Sequence, residues 1–265
     1  MQNFEGKVAL VTGGSSGIGR AAARLFAERG AQVVLAARGV ERGEEAAHEI
    51  VEAGGEAVFV QADVGRAADI ENLVARTVDL YGRLDYGFNN AAVAKGAFAL
   101  TADFDEDEFD EVMRVNLKGV WLCMKFEIWQ MLTQDPSGGA LVNTSSVNGL
   151  GGSVQGALYS AGKAGVLALT KSAAQDYAQQ GIRVNALVAG AFRTPMLEGV
   201  FRKIAGGDPA KAAAVQAQYT AMVPMQRIGK PDEAAEAALW LCSDAASYVT
   251  GHSMIVDGGW TAPMR

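Results

Sequence analysis

The chain has 265 residues, of which 49% are hydrophobic and 20% are charged, a balance typical of a globular protein with a substantial core. The net charge of −7 argues against a nucleic-acid-binding protein, because neutralising phosphates requires a basic surface. We therefore expect small-molecule partners. Two cysteines, Cys123 and Cys242, are too few and too far apart for a disulfide framework.

The first residues of the chain include an acid, Glu5, and lead almost at once into strand-like sequence, so we expect no signal peptide. Charged residues interrupt the longest helical stretch, 106–132, so that no apolar segment is long enough to span a membrane. We expect a cytoplasmic protein with no membrane contact.

Short apolar runs alternate with amphipathic helical sequence along most of the chain. The predicted strands are 8–11, 33–36, 57–61, 84–88, 140–143, 183–188 and 253–256. Short strands that are apolar on both faces favour a parallel sheet with helices on each side. The sequence predicts an α/β, doubly wound Rossmann-type fold in a single domain, 1–265, with an insertion at about 190–225 as a candidate lid.

A glycine-rich turn, TGGSSGIG over 12–19, lies between the first predicted strand and the first predicted helix. Glycines let backbone N–H groups approach a pyrophosphate at a helix N-terminus, where the helix dipole favours negative charge. The alternative is that these glycines serve only the turn. The candidate cofactor-binding residues of this turn are Gly13, Ser15, Ser16, Gly17, Ile18 and Gly19.

Arg38 follows the second predicted strand, where an adenosine ribose would lie. No carboxylate stands there to bind a ribose 2′-hydroxyl, and a guanidinium can pair with a 2′-phosphate. NADP(H) is therefore favoured, with NAD(H) as the alternative if Arg38 is only a solvated residue. Asp63 and Val64 close the third predicted strand, where they would contact the adenine; a helix N-cap is the alternative for Asp63.

Tyr159 and Lys163 are four residues apart in predicted helical sequence and so share one helical face. The unperturbed pKa of tyrosine is near 10, and a neighbouring ammonium favours the phenolate and lowers that pKa. Tyr159 could then exchange a proton with a substrate oxygen. Taken alone, this pair could also share a face by chance.

Together with these motifs, several further residues make the sequence resemble the short-chain dehydrogenase/reductase family in its single-domain form. The matching residues are TGGSSGIG over 12–19, Asp63, Asn89, Asn90, Ala91, Asn116, Ser145, Ser146, Tyr159, Lys163, Asn185, Thr194 and Pro195. The resemblance covers essentially the whole chain. It implies an NAD(P)-dependent oxidoreductase that interconverts a ketone or aldehyde and a secondary alcohol by hydride transfer.

The resemblance implies four catalytic residues. Tyr159 is the general acid or base, and Ser146 hydrogen-bonds the substrate oxygen, while Ser145 makes a structural hydrogen bond. Lys163 binds the nicotinamide ribose and lowers the pKa of Tyr159. Asn116, in an apolar helix where asparagine is disfavoured, holds a water that links Lys163 to solvent, or distorts the helix, or does both.

The resemblance also assigns the remaining contacts. Asn90 and Ala91 lie at the adenosine ribose, and Gly190, Phe192 and Thr194 line the nicotinamide. Asn148 and Gln155, with Ser146 and Tyr159, contact the substrate, whose mostly apolar walls indicate a small to medium apolar carbonyl or alcohol. No metal is expected, because His48 and His252 are isolated.

Three positions depart from the family pattern: Ala92 replaces a glycine, Gly162 a small residue such as serine, and Ala189 a proline. We expect a tighter cofactor floor at Ala92, a cost of about 1 kcal/mol in helix propensity at Gly162, and a less constrained nicotinamide loop at Ala189.

Two other hypotheses compete with an active dehydrogenase. A catalytically silent NADP(H) sensor or scaffold would use the same fold, but the complete catalytic set argues against it. An epimerase or dehydratase of nucleotide sugars would need a separate C-terminal domain. The resemblance implies a homotetramer, with a dimer as the alternative, and Trp121, Phe126 and Trp129 are expected in core or subunit packing rather than in a ligand pocket.

Overall fold

A computed structural model describes residues 3–262. The strands are β1 (Val8–Thr12), β2 (Gln32–Ala37), β3 (Glu56–Gln61), β4 (Tyr86–Asn89), β5 (Gly139–Ser146), β6 (Ile182–Ala189) and β7 (Ser253–Val256). The α-helices are α1 (Gly17–Glu28), α2 (Val40–Glu52), α3 (Ala67–Tyr81), α4 (Glu106–Met113), α5 (Gly119–Thr133), α6 (Ala157–Tyr177), α7 (Pro195–Ile204), α8 (Pro209–Met222) and α9 (Pro231–Cys242).

The seven strands form one parallel sheet in the order β3-β2-β1-β4-β5-β6-β7. The strand order reverses between β1 and β4, where Thr12 pairs with Asn89. Ligands of open α/β sheets bind in the crevice at the carboxyl ends of the strands beside such a reversal. The predicted doubly wound Rossmann-type fold is confirmed.

Two helical layers cover the sheet and bury its apolar faces. Helices α1, α2 and α9 contribute to one core, in which Phe26 and Leu239 are fully buried. Helices α3, α5 and α6 contribute to the opposite core, which contains Leu73 and Met131. Because both faces are covered, strands such as β1 can be buried at every position.

Several element boundaries differ from the sequence-based expectation. The predicted helix over 106–132 is divided by a π-turn at Arg114–Lys118. Strand β6 continues to Ala189, which pairs with Ser146 of β5 and Val256 of β7. Ala189 is therefore the last residue of the strand, and the loop that contacts the nicotinamide in the prediction begins at Gly190.

The insertion expected at about 190–225 contains two short helices, α7 and α8. Pro195 and Pro209 each occupy the first turn of their helix, where a missing N–H costs nothing. The side chains of Thr194 and Asp208 cap these two helices. Within residues 3–262, no helix is both long enough and apolar enough to cross a membrane.

Candidate active site

The start of α6 brings Tyr159 and Lys163 together at the carboxyl end of the sheet. Lys163 is 1% exposed, and its Nζ lies 6.0 Å from the centroid of the Tyr159 ring. The ammonium donates a hydrogen bond of 2.8 Å to the carbonyl oxygen of Thr144. Burial lowers the pKa of Lys163 to about 8, so the group still carries a proton at neutral pH.

Tyr159 is half-buried and hydrogen-bonds the side chain of Ser146. Burial raises the pKa of Tyr159, and the Ser146 bond offsets only part of that rise. The expected lowering of this pKa by Lys163 is not found, because the ammonium points to the carbonyl of Thr144. At neutral pH the phenol of Tyr159 is therefore in its protonated form.

The two serines at the end of β5 have different surroundings. The hydroxyl of Ser145 is buried and donates a 2.7 Å hydrogen bond to the carbonyl oxygen of Lys163, so the expected structural bond is confirmed. The hydroxyl of Ser146 lines the cavity and accepts a hydrogen bond from the backbone N–H of Asn148 at 3.2 Å. Of the two, Ser146 is the one that hydrogen-bonds Tyr159.

Asn116 lies within the π-turn and is fully buried. Its Oδ1 accepts from the backbone N–H of Val93 at 2.9 Å, and its Nδ2 donates to the carbonyl oxygen of Val93 at 3.0 Å. The predicted helix distortion is therefore present. Because the amide is engaged with Val93, it fastens the segment after β4 to the helix.

The glycine-rich turn packs closely against the segment that follows β4. At Gly13, with φ of 69°, an added Cβ would lie 3.0 Å from the backbone of Ala91, and at Gly19 it would lie 2.3 Å from the carbonyl oxygen of Gly13. Gly19 is thus required for packing within the turn. Ser16 precedes α1 without a side-chain cap, which leaves the first N–H groups of this helix available to an anion.

Arg38, Asp63 and Val64 lie at the carboxyl ends of β2 and β3, outside the main cavity. The Asp63 carboxylate accepts from Arg114 at 2.9 Å and from the backbone N–H of Gly65 at 2.9 Å. These bonds lower the pKa of Asp63, although burial opposes them.

Helix α3 is preceded by Arg66 as its N-cap residue, so the helix N-cap interpretation of Asp63 was wrong. Val64 is 7% exposed and belongs to the core against Gly119.

A cavity of about 400 Å³ joins the glycine turn to the ends of β4, β5 and β6. Some predicted site residues do not line this cavity: Ser15, Gly19, Arg38, Asp63, Val64 and Asn116. The predicted residues that line it are Gly13, Ser16, Gly17, Ile18, Asn90, Ala91, Ser146, Asn148, Gln155, Tyr159, Lys163, Gly190, Phe192 and Thr194. Its lining is mostly apolar, as expected.

Comparison with known families and proteins identifies the family to which this chain belongs. The model of a family described as enoyl-(acyl carrier protein) reductase matches residues 13–261. This chain belongs to the short-chain dehydrogenase/reductase family. Family membership makes it an oxidoreductase acting on CH–OH donors, as the motifs predicted.

Three similar proteins span the whole chain. The 2,5-dichloro-2,5-cyclohexadiene-1,4-diol dehydrogenase of Sphingobium indicum is 41% identical over 99% of this chain and 100% of its own. The cis-4-hydroxycyclohexanecarboxylate dehydrogenase of Sinomonas cyclohexanicum is 40% identical over 98% of each chain. The crystal structure of levodione reductase matches with a TM-score of 0.93 and 36% identity, covering 99% of this chain and 100% of that one.

All three departures from the family pattern lie near the site. Ala92 and Ala189 line the cavity. Gly162 is buried in α6, where an added Cβ would lie 3.4 Å from the Cβ of Asn116, an ordinary contact distance. The methyl group of an alanine would thus fit at position 162.

Sequence reasoning missed three aromatic residues of the cavity: Phe98, Tyr219 and Trp260. Tyr219 of α8 lies 5.1 Å from the Phe201 ring and 6.0 Å from the Trp260 ring, both edge-on. These residues come from three segments far apart in the chain, so no local pattern indicated them. Their aromatic character in otherwise polar or small-residue sequence was the only available signal.

The aromatic residues of α5 lie away from the cavity. Phe126 is buried, as expected for core packing, but Trp121 and Trp129 are 42% and 53% exposed. The Nζ of Lys125 lies 4.5 Å from the Trp129 ring centroid. In the part of the chain that the structure describes, no group of three or more His, Cys, Asp or Glu side chains could hold a metal.

Proposed function

We propose that this protein interconverts a small to medium alicyclic secondary alcohol and its ketone with a nicotinamide dinucleotide. The observation that carries the proposal is the hydrogen-bonded pair of Ser146 and Tyr159, with Lys163 beside it, in one mostly apolar cavity. The names of two similar proteins specify a hydroxylated six-membered carbon ring. The mostly apolar residues of the cavity suit the carbon ring of such a substrate.

The residues around the cavity fit a nicotinamide dinucleotide. The uncapped start of α1 beside Gly13 would receive the pyrophosphate, and the cavity continues to Gly190 and Thr194, which would contact the nicotinamide. The cofactor supplies or accepts the hydride. Arg38 and the absence of a carboxylate at the end of β2 favour NADP(H), with NAD(H) as the alternative.

Four further assignments complete the cofactor contacts. Ser15, Ser16, Gly17 and Ile18 would surround the pyrophosphate, Asn90 and Ala91 the adenosine ribose, and Phe192 the nicotinamide. Asp63 and Val64 would border the adenine, where the Arg114 bond holds the Asp63 carboxylate in place.

In the reducing direction, Tyr159 donates its phenolic proton to the carbonyl oxygen of the substrate. The Ser146 hydroxyl donates a hydrogen bond to the same oxygen, which stabilises the charge that develops there. The raised pKa of Tyr159 keeps this proton available at neutral pH. In the oxidising direction the phenolate must accept a proton, so oxidation requires a more alkaline pH.

Lys163 would bind the ribose hydroxyls next to the nicotinamide through its ammonium, which keeps its proton at neutral pH because its pKa is about 8. Asn116 holds the π-turn and Val93 in place. A water bound there would connect Lys163 to solvent. Because the Asn116 amide is engaged with Val93, we place this water on the main chain of the π-turn.

Asn148 and Gln155 would contact polar groups of the substrate at the edge of the cavity. The alternative function is a catalytically silent NADP(H) sensor or scaffold. The gathering of Ser146, Tyr159 and Lys163 around one cavity favours catalysis.

We further propose a single domain over 1–265 that acts in the cytoplasm without a metal and assembles as a homotetramer, with a dimer as the alternative. The exposed Trp121 and Trp129 on α5 offer an apolar face for subunit contact. The α7–α8 insertion would act as a lid over the cavity.

A screen of alcohols and ketones, read as the absorbance of NADPH and NADH, tests the proposed function. We expect turnover of cyclohexanol and cyclohexanone, with a chelator present or absent. Tyr159→Phe should abolish turnover while cofactor binding persists, whereas Tyr248→Phe, at a fully exposed tyrosine, should leave both unchanged. Cofactor binding without turnover of any substrate by the unaltered protein would support the silent sensor instead.

A further inference from the structure

Two residues of the cavity have backbone conformations that non-glycine residues rarely adopt. Phe98 has a φ of 77° and Gln155 a φ of 57°, both in the left-handed region that favours glycine. The backbone N–H of Phe98 donates to the carbonyl oxygen of Gln155 at 2.6 Å. Non-glycine residues held in this region cluster at ligand sites, where the surrounding structure fixes them.

The segment that carries Phe98 is attached to the catalytic helix. The backbone N–H of Tyr159 donates to the carbonyl oxygen of Gly96 at 3.0 Å, and the N–H of Gly96 donates to the carboxylate of Glu108 at 2.8 Å. Phe98 is therefore held two residues from the backbone partner of Tyr159. The backbone that carries Phe98 is thus attached to the backbone that carries Tyr159.

A lysine side chain from the 190–225 insertion contacts the Phe98 ring. The Nζ of Lys203, in the last turn of α7, lies 4.9 Å from the ring centroid, within the range of a cation–π contact. Phe98 is half-buried and lines the cavity, whereas Lys203 does not line it. The Phe98 ring therefore contacts both the cavity and the Lys203 ammonium.

We propose that Phe98 determines specificity by packing its ring against the carbon ring of the substrate, and that Lys203 is a positioning residue that holds the Phe98 ring. This inference rests on the proposed function, since it concerns the substrate of the same site. An aromatic face discriminates between a ring and an open chain because the compact ring fills the space beside it without losing conformational freedom on binding.

The test compares cyclohexanol with the acyclic 2-hexanol in each variant, with kcat and KM measured separately. Phe98→Ala should raise KM for cyclohexanol by about tenfold, a typical value for a hydrophobic contact in a pocket, with kcat changed less and the preference for the ring reduced. Lys203→Met should shift KM in the same direction by a smaller factor. Phe109→Ala on the exposed side of α4 and Lys211→Met on α8 are the matched controls.

Phe98→Gly separates the ring from the backbone. Glycine accepts a φ of 77° without strain, so this variant should unfold at a higher temperature than Phe98→Ala while losing the same preference for cyclohexanol. Equal loss in both variants would assign the effect to the ring.

The inference about Phe98 would be overturned if Phe98→Ala left the ratio of cyclohexanol to 2-hexanol activity unchanged while the unaltered protein turned over cyclohexanol normally. The proposed function would survive that result. Absence of turnover of any cyclic alcohol by the unaltered protein would overturn the proposed function itself.

Discussion

Glu127 places an ionisable carboxyl in the core of the protein, beneath the site. It is fully buried in α5, its Oε2 accepts from Asn89 Nδ2 at 2.8 Å, and its Oε1 lies against Gly87 without a hydrogen-bond partner. Burial raises the pKa of Glu127 to about 7, and the Asn89 bond opposes this rise only in part. Below about pH 7 the neutral acid is therefore favoured in the folded state.

The raised pKa makes stability depend on pH. Between the ordinary pKa of 4.5 and the folded value of about 7, the folded protein holds a proton that the unfolded chain has released. The free energy of unfolding then falls as pH rises, by about 1.4 kcal/mol per pH unit. The stabilisation that comes from proton binding to Glu127 is fully present below pH 4.5, and about 3 kcal/mol of stability is lost once the pH has passed 7.

Glu127→Gln removes the ionisation while keeping the shape of the side chain. Urea unfolding of both proteins at a fixed protein concentration, from pH 5 to pH 8, measures the difference in their free energies of unfolding. We expect this difference to change by about 3 kcal/mol in favour of the glutamine variant as pH rises. At pH 5 the two proteins should be closer in stability, since the protonated carboxyl and the amide both place an unpaired donor beside Gly87.

Glu71→Gln, at an exposed position of α3, is the matched control and should show no such change. If the difference between the unaltered protein and Glu127→Gln stays constant from pH 5 to pH 8, the carboxyl does not titrate in the folded core and the reasoning is refuted.

Three further predictions concern the cofactor, the catalytic helix and the proton. Arg38→Asp should shift the ratio of kcat/KM for NADP to that for NAD by about tenfold or more toward NAD, since it would remove the proposed charge-assisted bond to the 2′-phosphate. Arg76→Asp, exposed on α3, should leave this ratio unchanged. An unchanged ratio in Arg38→Asp would show that Arg38 is only a solvated residue. Gly162→Ala should stabilise the protein by about 1 kcal/mol in thermal unfolding, because the added Cβ has room. Gly165→Ala would place a Cβ 2.6 Å from a leucine side chain and should not be stabilised in this way. Equal changes in the unfolding temperature of the two variants would contradict the packing argument. The kcat of alcohol oxidation should rise from pH 7 to pH 10, since burial raises the pKa of Tyr159; a profile that is flat or falls with pH would exclude Tyr159 as the base.

The amino-acid sequence alone was enough to predict the parallel sheet, the glycine turn and the pairing of Tyr159 with Lys163. All of these depend on local features: apolar runs of strand length, glycines between a strand and a helix, and a four-residue spacing on one helical face. Family resemblance added Ser146 and Asn116, and the structure places Ser146 within hydrogen-bond reach of Tyr159.

The direction of the Tyr159 pKa shift required the three-dimensional structure, because this shift depends on how deeply the phenol is buried and on where the Lys163 ammonium points. The same holds for the burial of Glu127 and for the aromatic lining of Phe98, Tyr219 and Trp260. These contacts join segments that are far apart in the chain and become neighbours through the order of the strands. Local periodicity carries no information about such distant neighbours, since it reports which face of an element is apolar but not what that face meets.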